Sequence, residues 1–145
     1  MDFIIGNEGS LQANIAKNWL EDQTGDEFEN TYSAMAFHTN DQIKAAALFT
    51  NYNGANVDLH FFGPRLSRGT YRQILDYVFN HLKCNRMTAI PLRSDTASII
   101  SLPRLGFRQE AILKYYYGVD DSQDGLVYVI TKSKALEWLK NKGAK

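Results

Sequence analysis

Residues 55–90 read ANVDLHFFGPRLSRGTYRQILDYVFNHLKCNRMTAI. Along 55–62, Asn56, Asp58 and His60 alternate with Val57, Leu59 and Phe61, the period of two expected of a half-exposed strand. Gly63-Pro64 ends it, because proline brings no amide to a ladder. Apolar side chains then recur at Tyr71, Ile74, Leu75, Val78 and Leu82, the stripe of one helical face. A short apolar strand follows at 87–90. A strand reached through a helical crossover lies parallel to the one before it. The segments 57–62 and 87–90 are therefore expected side by side and parallel.

Upstream of this unit, 3–5 is a short strand candidate, and Ser10 caps a helix carrying Leu11, Ile15, Trp19 and Leu20 to about Glu21. Residues 22–31 read as an acidic loop with room for one helical turn. The period then becomes two: 32–37, 43–50 and 55–62 are strands joined by turns at 39–42 and 51–54, an antiparallel meander. Downstream, Ser94 or Asp95 caps a helix with Ile99, Ile100, Leu102 and Leu105, tightened near its end by Pro103 and closed by Gly106. A loosely alternating strand over 107–117, a polar turn over 119–125, a strand over 126–131 and a helix with Ala135, Leu136, Trp138 and Leu139 complete the chain. This order predicts an α/β fold of the α+β kind, a mixed sheet with helices packed on it, in one domain spanning 1–145.

Bulk properties narrow the function classes. Sixteen Lys and Arg balance sixteen Asp and Glu, so no net field draws the chain to nucleic acid or to an anionic membrane. Cys84 is the single cysteine, which excludes an internal disulfide and a thiolate zinc cage and fits a buried thiol in a reducing compartment. No signal-like leader and no run of 18 apolar residues is present, so the reading is a soluble, cytoplasmic protein without metal.

The element order, together with Ser98-Ile99-Ile100-Ser101-Leu102-Pro103-Arg104-Leu105-Gly106-Phe107, resembles the GCN5-related N-acetyltransferases, in particular the branch acting on ribosomal protein N-termini. That branch carries an Asn, two residues, a Ser and an apolar helix ending in Leu-Gly-Phe. Here Asp95 stands at the Asn position, Ser98 at the Ser, and Leu105-Gly106-Phe107 at the closing word. Arg108, Glu110 and the late acidic residue Asp124 extend the likeness, which covers about 43–130. Gly106 as a helix C-cap and Phe107 as a core anchor would serve any fold, so the word speaks for architecture before chemistry.

The resemblance implies acetyl-CoA as co-substrate, its pantetheine arm pairing with main chain exposed where the two parallel strands splay. The groups involved would come from the main chain of about Leu59 to Gly63, with Phe61, Phe62 and Gly63 taken as the binding residues. The pyrophosphate would rest on the start of the following helix, at Gly69 and Thr70, with Arg65 and Arg68 nearby and Asp95 and Ser98 on the next helix. In the family's loop pattern, Leu66 takes the Gln or Arg position and Tyr71 the last small residue. The Tyr71 ring is therefore expected to crowd the phosphates. A solvated helix start is the other reading of Arg65, Arg68 and Arg72.

For the transfer itself the resemblance places a base at Asp58, with His60 on the same face of the strand, and an oxyanion donor at the amide of Phe61 or Phe62. The family's acid, a Tyr four residues before the glycine of Leu-Gly-Phe, is replaced by Leu102. Tyr115 is taken in its stead from Tyr115-Tyr116-Tyr117, read as strand residues. The acceptor would be a primary amine: a small molecule, a protein N-terminus or a lysine. Acidic residues in 22–31 and 115–125 suit a cationic one, and pairing of the final strands is a route to a homodimer. A second reading keeps the fold but makes it a binding or structural module, on the grounds of Tyr71, the shortened loop and Leu102. A third, nucleic-acid binding through Arg65, Arg68 and Arg72, lacks any matching motif.

Overall fold

A computed structural model describes residues 2–7, 11–28, 31–40, 42–63 and 67–140, with the backbone alone at 2–7 and 11–13. The expected cap Ser10, the loop residues Pro64, Arg65 and Leu66, and residues 141–145 lie outside the described residues. The elements are β1 (Asp2–Asn7), α1 (Leu11–Thr24), β2 (Thr31–Thr39), β3 (Gln42–Thr50), β4 (Asn56–Phe62), α2 (Arg68–Leu75), β5 (Arg86–Ala89), α3 (Thr96–Arg104), β6 (Arg108–Leu113), β7 (Gly125–Thr131) and α4 (Lys132–Lys140). One sheet takes them in the order β1-β2-β3-β4-β5-β7-β6. Every neighbouring pair is antiparallel except β4 with β5, which is the parallel pair expected from the crossover.

Strand alternation divides the core into two layers. Phe37, Phe49, Val57, Leu59, Met87 and Ile130 point to one face, where Tyr71, Ile74, Leu75, Val78 and Phe79 cover them. Small residues on the other face, Ala34, Ala36 and Ala46 with Leu48, admit α1 close to the sheet through Ala16 and Leu20. Cys84 is fully buried in the first layer, and that burial pushes its thiol pKa up.

Two stretches depart from the sequence reading. The α2 helix continues as π-helical turns over Asp76–His81, a widening that seats Tyr77, Val78 and Phe79 in the core together. The strand expected over 107–117 stops at Leu113. Tyr115 turns to a left-handed φ of 56°, and its amide donates to Asp124 Oδ1 at 2.9 Å. The segment to 124 is a compact loop in which Gln123 Oε1 accepts from the amides of Val119 and Asp120 and Asp120 caps the short 3₁₀ turn Asp121–Gln123.

Candidate functional site

The register of β4 defines the site. Its pairing with β5 runs through Asn56↔Arg86, Val57↔Met87 and Asp58↔Thr88 and goes no further, whereas its pairing with β3 continues to Ala46↔Phe62. A strand residue sends its N–H and C=O to the same side, and successive residues alternate sides. The Ala55 carbonyl accepts from Asn85 and Arg86 and so faces β5. Residues 57, 59 and 61 therefore face β5 as well, and the N–H and C=O of Phe61 open into the gap beyond the last pair. The Phe62 main chain faces β3, which leaves Phe61 as the one of the two expected oxyanion donors on the open side.

At the head of this gap Gly63 passes so close to β3 that a Cβ there would sit 2.4 Å from Ala45 Cβ. The α2 helix then starts at Arg68 with Ser67 as N-cap. Ser67 Oγ accepts the Thr70 amide at 3.0 Å and donates to Thr70 Oγ1 at 2.9 Å, so both groups of Thr70 are engaged. The amides of Arg68 and Gly69 come ahead of that bond, and among the described residues a Cβ on Gly69 would meet nothing within 4 Å. That open space at a helix start, beside a strand edge offering free main-chain groups, fits the pyrophosphate and amide arm of acetyl-CoA.

Tyr71 is turned into the core. Its side chain is buried (1% exposed), its hydroxyl donates to the Leu105 carbonyl at 2.6 Å, and Trp138 of α4 packs edge-on at 4.8 Å. The expected clash is thus corrected: the helix turns Tyr71 inward, where it ties α2 to the end of α3. Burial pushes its phenol far above the usual range. Arg68 lies over the Trp138 ring, 5.4 Å from its centroid, and Arg72 donates to the Leu139 carbonyl at 3.0 Å. Asp95 and Ser98 are used on each other: Asp95 accepts from the Ser98 amide at 3.2 Å and from its hydroxyl at 2.7 Å, capping α3. A carboxylate at that helix start opposes a phosphate, whereas the first turn of α2 carries no acidic residue.

Asp58 and His60 share the face of β4 that looks toward α1, as alternation requires. Asp58 accepts from Asn51 and from Asn56, each at 3.0 Å. Asn56 in turn accepts from the Thr88 hydroxyl at 2.7 Å, which ties the last paired rung together. His60 Nε2 lies 2.9 Å from Thr50 Oγ1, and the Phe28 ring packs on the imidazole at 4.8 Å. Burial lowers the His60 pKa below its ordinary value, against the opposite pull of Asp58 and Asp26, so the ring is neutral near pH 7.

Tyr115 is not the tyrosine that reaches this region. It is 56% exposed, with Lys114 Nζ over its ring. Tyr117 reaches it instead: its hydroxyl donates to the Ile90 carbonyl, at the end of β5. Burial raises its pKa to about 12, with Tyr116, Asp26 and Asp58 adding to the effect. The strand reading concealed this residue, because alternation stops meaning anything once the chain leaves the sheet at Leu113. Among the described residues no group of three or more His, Cys, Asp or Glu is arranged to hold a metal, and no helix is long and apolar enough to cross a membrane.

No family model matches the chain, and no curated protein matches it in sequence. Solved structures do match. A point mutant of the spermidine N-acetyltransferase SpeG from Vibrio cholerae superposes with a TM-score of 0.74 at 12% identity, covering 94% of this chain and 98% of that one. A chimera of SpeG with hSSAT gives 0.73 at 14% over 94% and 99%. The spermidine/spermine N-acetyltransferase SpeG in complex with manganese ions gives 0.66 at 13% over 94% and 96%. At such identities the likeness is one of architecture, and the architecture of this chain is the GCN5-related N-acetyltransferase fold.

Proposed function

We propose that this protein is an N-acetyltransferase that uses acetyl-CoA to acetylate a primary amine. The observation that carries the reading is the parting of β4 and β5 after Asp58↔Thr88, with the Phe61 main chain facing the gap and the α2 start at its head. Bound acetyl-CoA would supply an activated acetyl thioester. Phe61 would pair with its amide arm or direct its N–H at the oxygen on which charge develops, and the Arg68 and Gly69 amides would meet the phosphates. Neutral His60 is the group suited to take the amine's proton, with Asp58 setting the field around it. Arg65, which the resemblance puts near the phosphates, would add to their charge neutralisation.

The likeness to spermidine enzymes supports a small-molecule amine over the protein N-terminus that the 98–107 word suggested. The competing reading, a module without turnover, loses one of its main supports because Tyr71 sits in the core. Two measurements test the proposal together. Coenzyme A at about one hundred times its Kd should stabilise the protein by about 2.7 kcal/mol in thermal unfolding. Acetyl-CoA with a panel of primary amines should release free thiol. Absence of both effects would leave the fold without this activity.

A further inference from the structure

The Tyr117 hydroxyl has one proton to donate, and it is given to the Ile90 carbonyl. The Leu126 amide donates to the Pro91 carbonyl, so residue 91 faces β7 and Ile90, next along the chain, faces the β4 side. The Tyr117 oxygen thus sits on the β5 wall of the gap, with its remaining lone pairs able only to accept. A carbonyl partner also requires the phenol to stay protonated.

The loop holds it there. The Tyr117 amide donates to the Gln123 carbonyl at 2.9 Å, and the Tyr116 ring packs edge-on against that of Tyr117 at 4.9 Å. Gly125 lets this layer settle on β5: a Cβ there would lie 2.9 Å from Ile90 Cγ2 and 3.0 Å from Tyr116 Cδ2. Asp124, fully buried, accepts from the Tyr115 amide, Arg93 and Lys114 and fixes the loop's base. The charged groups that act on Tyr117 are Asp26 and Asp58, and the same two act on His60.

We infer that Tyr117 is the residue that receives the acceptor amine: its oxygen, made an obligate acceptor by Ile90, takes a hydrogen bond from an N–H of an alkylammonium ion held between it and His60. The acceptor class is then an alkylamine that arrives charged and brings several N–H donors, in a field set by Asp26 and Asp58. This rests on the acetyltransferase reading for the amine's fate but not for its binding.

The test is calorimetric titration of n-butylammonium and of butyltrimethylammonium, which has no N–H, into the protein without coenzyme A. The first should bind the wild type about ten times more tightly than the second, as expected for one hydrogen bond to a charged group. In Tyr117→Phe, which keeps the ring, that preference should vanish while the melting-temperature rise with coenzyme A stays as in wild type. In turnover, Tyr117→Phe should raise KM for the amine more than it lowers kcat. An unchanged preference in Tyr117→Phe overturns the inference, as does a fall in kcat alone, which would make the phenol a proton donor. Should coenzyme A give neither stabilisation nor thiol release, the acetyltransferase reading fails while the ammonium titration still decides the role of Tyr117.

Discussion

His60 combines position and protonation state in a way no other described side chain of β4 does. It faces the α1 side of the gap, has Phe28 against its ring, and is kept neutral by burial. His60→Gln should lower kcat/KM by about 10²- to 10⁴-fold with little change in coenzyme A affinity. The acid limb of the wild-type pH profile should have its midpoint below 6.5, because the folded-state pKa is depressed; a midpoint above 7 would assign the base to another group. Tyr71 makes the opposite point. Read as a helix-start residue it belonged to the phosphate loop, yet its hydroxyl and ring are spent on Leu105 and Trp138. Tyr71→Ala should therefore cost about 3–5 kcal/mol of stability, visible in chemical denaturation, without tightening nucleotide binding. Periodicity put Tyr71 on the buried face, but only the packing of α4 showed that the face extends to the first turn.

Among the elements, the loop from β6 to β7 depends on one carboxylate. The Tyr115 amide first, then Lys114 and Arg93, hold the Asp124 pKa down to about 2. A depressed carboxylate contributes stability that is complete above its unfolded pKa near 4 and is lost as pH falls toward 2. The melting temperature of wild type should exceed that of Asp124→Asn near neutrality, and the difference should shrink as the pH drops from 4 to 2. A difference that persists at pH 2 would place the effect in packing and not in charge. The start of α2 offers a second test at this scale. Ser67 caps it through the Thr70 amide, and Ser67→Ala should cost about 1 kcal/mol in thermal unfolding. Element types and order were legible in the sequence because each run keeps its period: Val57, Leu59 and Phe61 against Asp58 and His60, then the Tyr71 to Leu82 stripe. The end of β6 was not, since Tyr115, Tyr116 and Tyr117 have strand-forming side chains and the left-handed turn at Tyr115 is imposed by Asp124, a partner nine residues away.

At the scale of the molecule, the proposed function depends on a sheet that is continuous at one end and divided at the other. The β4 strand is bonded to β3 from Asp58 to Phe62 and leaves β5 after its first three residues, which gives a wedge without breaking the core. Gly63 supports this geometry by its close passage over Ala45, and Gly63→Ala should destabilise the protein and weaken coenzyme A binding together, as thermal unfolding with and without ligand would report. The sequence by itself determined the strand and helix order, the parallel β4–β5 crossover, the two faces of β4 and the balanced charge, because these follow from local periodicity and composition. Only the tertiary structure decided that the pairing lapses at Asp58↔Thr88, that Tyr71 is core, and that Tyr117 and not Tyr115 reaches the gap. Each of these depends on hydrogen bonds and contacts between residues far apart in the chain, which no local pattern encodes.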